Sequence, residues 1–132
     1  VRAIQDQDRQ LAAQILAPYA IWENRASPTG GTSPSDLPRY EGRDAVLAFF
    51  DQLTGLFEQT RFSRLALHPA RDAEVVYVEA KGDFILRGAG APYQNLYMFA
   101  LTLEGDQISR IDEYYNPVHV ARVLGQPPCA SP

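Results

Sequence analysis

Tyr93-Gln94-Asn95-Leu96-Tyr97-Met98-Phe99-Ala100-Leu101-Thr102-Leu103-Glu104-Gly105-Asp106-Gln107-Ile108-Ser109-Arg110-Ile111-Asp112-Glu113-Tyr114-Tyr115-Asn116-Pro117 reads as an antiparallel hairpin followed by a helix start. Two aromatic- and aliphatic-rich runs flank Glu104-Gly105-Asp106-Gln107, whose central Gly-Asp suits a two-residue primed turn. Asn116-Pro117 then supplies an N-cap and a proline at the first helical position, for a short helix ending before Gly125.

Strand alternation puts Ile111, Glu113 and Tyr115 on one face of this hairpin, and Arg110, Asp112 and Tyr114 on the other. A carboxyl group flanked by Ile and Tyr loses hydration, which raises its pKa and suits it to acid–base work near neutrality. The plainer alternative is an exposed Glu113 or one paired with an arginine. Register decides its neighbours. A strict two-residue turn pairs Glu113 with Met98 and adds Leu96 and Ala100 to its face. A bulge shifts the pairing to Tyr97, bringing Asn95 and Phe99 instead. Both faces of Pro92–Glu104 are largely apolar, so the pattern leaves both registers open.

Upstream, the period is also two. Strands are expected at Arg61–Ala70, Glu74–Arg87, Pro92–Glu104 and Gln107–Asn116. Arg43 to Phe57 is the clearest helix, with Val46, Leu47, Phe49, Phe50, Leu53, Leu56 and Phe57 as its apolar stripe and Asp44 near its positive end. Val1–Ala17 carries a second amphipathic stripe through Ile4, Leu11, Ala12, Ile15 and Leu16, and Pro18 ends it. Ala20–Glu23 reads as a short strand. Between them and the central helix, Asn24–Gly42 is rich in Pro, Gly, Ser and Thr: a long loop, either a lid or a plain surface insertion. Helices first and a meander afterwards indicate one α+β domain over residues 1–132, with helices on one face of a curved antiparallel sheet, a shape that can wrap around a pocket. Residues 126–132 form a Pro-rich tail.

The polar inventory on these elements is short. Glu79, Lys81 and Asp83 share a face of the second long strand, which is a solvated face in the plain reading and an acid–base cluster in the sharper one; Gly82 beside them relieves crowding or marks a bulge. Tyr19, Trp22, Tyr40, Tyr93, Tyr97 and Tyr115 are candidates to line a pocket, each of them ordinary packing in the plain reading. His68 and His119 have no metal-ligand spacing around them, so no metal site is expected, and His119 falls in the first turn of the last helix. Gly88-Ala89-Gly90 lies in a hairpin turn, not in a phosphate-binding loop. Cys129, the lone cysteine, sits in the tail and has no partner for an internal disulfide.

Composition bounds the rest. At 45% hydrophobic and 21% charged the chain matches an ordinary soluble domain, and a net charge of −4 without a Lys/Arg cluster argues against nucleic acid. No apolar run reaches the roughly 20 residues that span a bilayer, so no membrane partner is expected and the cytoplasm is the default location. The chain begins at Val1 without an initiator Met, which leaves room for a leading segment.

Leu16-Ala17-Pro18-Tyr19-Ala20-Ile21-Trp22-Glu23-Asn24, Tyr40-Glu41-Gly42-Arg43-Asp44-Ala45-Val46, Pro92–Tyr97 and Ile108–Pro117 resemble the junctions and terminal hairpin of the SnoaL-like group. That group sits in the nuclear-transport-factor-2-like superfamily, and the similarity is nearest to its phenazine-biosynthesis A/B-type and polyketide-cyclase-like branch. The resemblance implies a cystatin-like cone with a deep apolar pocket, a homodimer formed through the sheet, and no cofactor. It also implies acid–base chemistry of cyclase, isomerase or hydrolase type on a small hydrophobic carbonyl, enol or epoxide. On this reading Glu113 and Asp83 are catalytic, while Trp22, Tyr40, Lys81, Asn95, Tyr97 and Tyr115 contact substrate. The resemblance is incomplete. The steroid-isomerase base and oxyanion-hole acid fall at the amides Asn24 and Asn95, the phenazine-type histidine falls at Phe49, and Lys81 replaces the epoxide-hydrolase arginine. A non-catalytic ligand-binding or association module of the same fold is the alternative.

Overall fold

The computed structural model describes residues 1–124; Cys129 and the rest of the tail lie outside the described residues. The elements, in chain order, are α1 (Arg2–Gln5), α2 (Arg9–Ile15), β1 (Leu16–Asn24), β2 (Arg39–Glu41), α3 (Arg43–Leu56), β3 (Phe57–Pro69), β4 (Val75–Leu86), β5 (Pro92–Glu104), β6 (Gln107–Tyr115) and α4 (Pro117–Leu124). Six strands form one curved sheet in the order β2-β1-β6-β5-β4-β3, with helices packed on its concave face. Every neighbouring pair is antiparallel except β1 and β6, which run parallel. No helix among the described residues is long and apolar enough to cross a membrane.

The single helix expected over Val1–Ala17 is broken in two. Gln7 takes φ 51° and Asp8 caps α2, its carboxylate accepting the Leu11 N–H at 2.9 Å. The Gln7 amide then donates to the Phe57 carbonyl oxygen at 2.9 Å and the Gln5 side chain accepts from the Phe62 N–H at 3.1 Å, pinning α1 to β3. Strand β1 begins earlier than expected and runs through Pro18. That is tolerated because its ladder with β6 is irregular between Leu16 and Ile21, where no backbone donor is required of Pro18. Gly42, at φ 90°, turns the chain into α3, and Arg43 ties that helix to β1 through two hydrogen bonds to the Leu16 carbonyl oxygen at 2.8 and 3.1 Å.

Residues 24–42 are more ordered than a loop. A short 3-10 helix at Pro34–Asp36 and strand β2 lie within them, with Trp22 opposite Tyr40 in the β1/β2 ladder. The core is continuous beneath the sheet: Leu16, Ala20 and Trp22 from β1, Val46, Leu47 and Phe50 from α3, Phe57 and Phe62 from β3, Val78 and Phe84 from β4, Phe99 from β5 and Ile111 from β6. Burying a large apolar side chain contributes about 1.5–3 kcal/mol, and this cluster fixes which face of each strand points inward.

The register of the hairpin differs from both expectations. Glu104 pairs with Gln107, as a two-residue turn requires, with Gly105 at φ 62°. Ser109 is then an extra residue on β6, so Thr102 pairs with Arg110 and Glu113 faces Phe99. The bulge lies on the opposite strand from the one that would place Tyr97 across from Glu113. The inward set is nonetheless Asn95, Tyr97 and Phe99, because a one-residue slip in either direction has the same parity.

Candidate active site

The site is built around two buried carboxylates with opposite surroundings. Glu23, on the convex side of β1, bonds Arg25 at 2.8 Å, Arg39 at 3.2 Å and Arg110 at 2.8 Å. Burial alone would raise its pKa, but the bonds from Arg25 and Arg110 prevail and hold it below the usual carboxylate range. Glu113, on the concave side of β6, is 8% exposed and has no cation beside it among the described residues. Its one hydrogen bond there comes from the Trp22 indole, Nε1 to Oε1, at 3.4 Å. Burial pushes its pKa from 4.5 to about 7, and the indole N–H, by favouring the ionised form, works weakly against that rise.

Four tyrosines feel the Glu113 charge: Tyr40, Tyr93, Tyr97 and Tyr115. Burial, reinforced by that charge, raises each phenol, Tyr115 to about 12 and Tyr97 further still. They are therefore neutral hydrogen-bond donors at physiological pH. Tyr97 stands inward because Gly82 lies opposite its ring: a Cβ built there would meet Tyr97 Cε2 at 2.7 Å. The ladder is regular at Gly82, so this glycine relieves crowding and marks no bulge. Trp22 is held edge-on to Phe49 (centroids 5.2 Å) and Phe99 (6.5 Å), and Tyr40 stacks on Phe49 at 4.3 Å.

A small cavity of about 20 Å³ touches Glu113, lined also by Ile4, Trp22, Thr60, Phe62, Tyr97 and Phe99 among others. A second, almost wholly apolar cavity of about 60 Å³ lies towards α1 and α2. Ile4, Trp22, Phe62 and Phe99 line both, so these four side chains are the partition between them. Residues 24–42, expected as either a lid or a surface insertion, line neither cavity.

Other expected site residues fall elsewhere. Gly82 pairs with Asn95 and Phe84 with Tyr93, so even-numbered residues of β4 point inward and Lys81 and Asp83 point outward, away from Glu113. There Asp83 accepts from Ser63 at 2.9 Å and Gln94 at 2.9 Å, with Lys81 at 3.5 Å; the Ser63 bond chiefly holds its pKa down. This is a solvated sheet face, and it takes both residues out of the site. Asn95 points inward, yet its amide is spent. Nδ2 donates to the Tyr93 hydroxyl (2.8 Å) and the Asn116 carbonyl oxygen (3.1 Å), and Oδ1 accepts from the Leu96 and Asn116 N–H groups (2.8 Å each). Two donors and two lone pairs are the amide's full capacity, so Asn95 clasps the end of β6 and cannot orient a substrate. The Tyr115 hydroxyl donates to the Ala26 carbonyl oxygen at 3.1 Å and keeps only its acceptor side.

Sequence reasoning gave too little weight to three residues. Tyr93 joins the cluster. His119, capped into α4 by Asn116, lies against Tyr93 with centroids 5.5 Å apart and its Nε2 buried without a partner among the described residues. Asn24 stands beside Glu113 in the β1/β6 ladder, and its Oδ1 is likewise buried and unpartnered among the described residues. Only the cross-strand register exposes the Asn24 relationship.

The SnoaL-like domain profile matches residues 1–111, most of the chain. The chain belongs to the SnoaL-like domain family. Its fold is shared by solved structures of low sequence identity. A provisionally named isomerase from Bacillus subtilis is 21% identical, with TM-score 0.80 over 95% of this chain and 86% of that one. The phenazine biosynthesis-related protein of Pseudomonas aeruginosa is 18% identical, with TM-score 0.75 over 92% and 74%. A protein of ketosteroid isomerase-like fold from Catenulispora acidiphila is 17% identical, with TM-score 0.75 over 99% and 92%. No curated protein matches the sequence. At these identities the likeness shows the fold, and the family match stops two residues before Glu113, so the role of that residue in this SnoaL-like domain rests on its own geometry.

Proposed function

We propose that this SnoaL-like domain is a cofactor-independent acid/base enzyme for a small hydrophobic carbonyl, enol or epoxide, with Glu113 as the group that takes and returns the proton. The observation that carries the reading is a buried, cation-free carboxyl on a cavity wall with its pKa near 7. A group titrating at the working pH is present in both forms and can serve as base and then as acid. The ionised form removes a proton from carbon next to a carbonyl, and the neutral form returns it elsewhere. Tyr97, held neutral on the wall of the same cavity, would donate to the oxygen where charge develops.

The test needs no knowledge of the natural substrate. Hydrophobic ketones in D2O should exchange their α-hydrogens faster with the protein, followed by proton NMR, and Glu113→Gln should abolish the acceleration. Equal exchange with Glu113→Gln would remove Glu113 from the chemistry.

One observation favours the second reading, a binding or association module. The cavity at Glu113, about 20 Å³, holds one water- or hydroxyl-sized group. Turnover therefore requires Ile4, Trp22, Phe62 or Phe99 to move. Ketones that raise the melting temperature without any exchange would favour that reading. We also propose a homodimer through the convex sheet face, supported by Tyr77, Leu96 and Tyr114 standing 44%, 65% and 45% exposed there. Sedimentation at the monomer mass at all concentrations would contradict it.

A further inference from the structure

Asn24 ends β1 at the level of Glu113, its partner in the parallel β1/β6 ladder. Trp22, two residues earlier, pairs with Ile111, and both are buried in the core, so the Asn24 side chain shares the concave face with Glu113. Asn24 is 9% exposed. Its backbone N–H is satisfied by the Pro38 carbonyl oxygen at 2.9 Å, whereas its Oδ1 is buried with no partner among the described residues. A buried polar atom left unpaired costs about 1–3 kcal/mol, and evolved cores rarely keep one without a use. The ionised Glu113 carboxylate does not supply the missing donor, since in that form it only accepts, and its one side-chain hydrogen bond is from Trp22. The tyrosines do not supply it either: Tyr115 donates to Ala26, and no bond joins Asn24 to Tyr40, Tyr93 or Tyr97.

We propose that Asn24 is a positioning and specificity residue whose Oδ1 accepts a hydrogen bond from a hydroxyl group of the ligand, so that the site selects hydroxy or enol compounds over plain ketones, ethers and epoxides. The inference rests on the acid–base reading of Glu113 and narrows its substrate class. An acceptor amide beside an acid that exchanges its proton gives two contacts to one end of a molecule. The O–H is anchored at Asn24, and the neighbouring carbon or carbonyl faces Glu113. Asn24 lines neither cavity, so seating that hydroxyl against Oδ1 requires neighbouring side chains to move, as turnover does. Sites built to pair a hydroxyl discriminate strongly against analogues that lack it, because the protein atom is then left unpaired.

The probes are phenol and its near-isostere toluene, with anisole and ethylbenzene as an acceptor-only pair. Affinities are read by NMR titration on wild type, Asn24→Leu and Asn24→Ala. Wild type should bind phenol at least tenfold tighter than toluene, and both variants should lose that preference while melting no lower than wild type. The unchanged melting temperature separates ligand positioning from a structural role. Equal binding of phenol and toluene to wild type, as when water serves the amide, would overturn the proposal. So would a preference for anisole over ethylbenzene that vanishes in the variants, because the amide would then be presenting its N–H. Repeating the phenol and toluene titrations on Glu113→Gln separates this inference from the acid–base reading. A preference retained there leaves the role of Asn24 standing even if Glu113 turns nothing over.

Discussion

The Trp22 indole N–H and the Glu113 carboxyl meet at 3.4 Å, the one hydrogen bond that this buried acid makes among the described residues. The bond is long, and it favours the ionised form. Trp22→Phe should therefore raise the Glu113 pKa above its value in wild type by some tenths of a unit to about one unit. Carbon-13 titration of labelled glutamate reads this directly, and a fall in pKa would contradict the assigned direction.

Stability should depend on pH with a definite sign. The Glu113 pKa is raised on folding, from 4.5 to about 7. Between those values the unfolded chain holds fewer protons than the folded one, so stability falls as pH rises through the window. The full penalty, present above about pH 7, is on the order of 3 kcal/mol at 1.36 kcal/mol per pKa unit. Glu113→Gln lacks it. The stability advantage of that variant, measured by urea denaturation, should grow from pH 4.5 to pH 7 and then level off. A constant gap would mean that Glu113 is not desolvated.

Gly82→Ala should disturb the site from the neighbouring strand. The added methyl meets the Tyr97 ring at 2.7 Å and the Phe84 ring at 3.2 Å, so those rings must shift. Overpacking of this kind costs about 1–3 kcal/mol. Because Tyr97 lines the Glu113 cavity, the substitution should also slow carbon exchange. A variant as stable and active as wild type would show that the space is not confined.

Asp83→Asn and Lys81→Ala should change the exchange rate less than twofold, since both side chains lie on the convex face. A large loss in either would place them back in the chemistry and contradict the strand register.

Much of this arrangement was legible from alternation alone. The Phe-rich stripe of α3 and the period-two strands that follow determine which residues can be inward. The Asn116-Pro117 cap reads correctly because its chemistry is local. What alternation could not carry is anything set by pairing. Both faces of β5 are apolar, so the extra residue at Ser109 left no mark, and with it went the choice of Phe99 as the partner of Glu113. The outward face of Lys81 and Asp83 depends on two successive ladders, counted from Glu113 through β5 to β4. The break at Gln7 follows from tertiary bonds to β3 that no local propensity encodes. The resemblance puts the steroid-isomerase base at Asn24, but its place beside Glu113 follows only from β1 and β6 being parallel and in register.

The most direct test of the account is the pKa of Glu113 itself, by carbon-13 NMR of selectively labelled protein with Glu113→Gln identifying the resonance. A midpoint near 7 is the predicted result. A midpoint near 4.5, that of an ordinary hydrated carboxylate, would contradict it, because an acid ionised at all working pH values cannot return a proton as the mechanism requires.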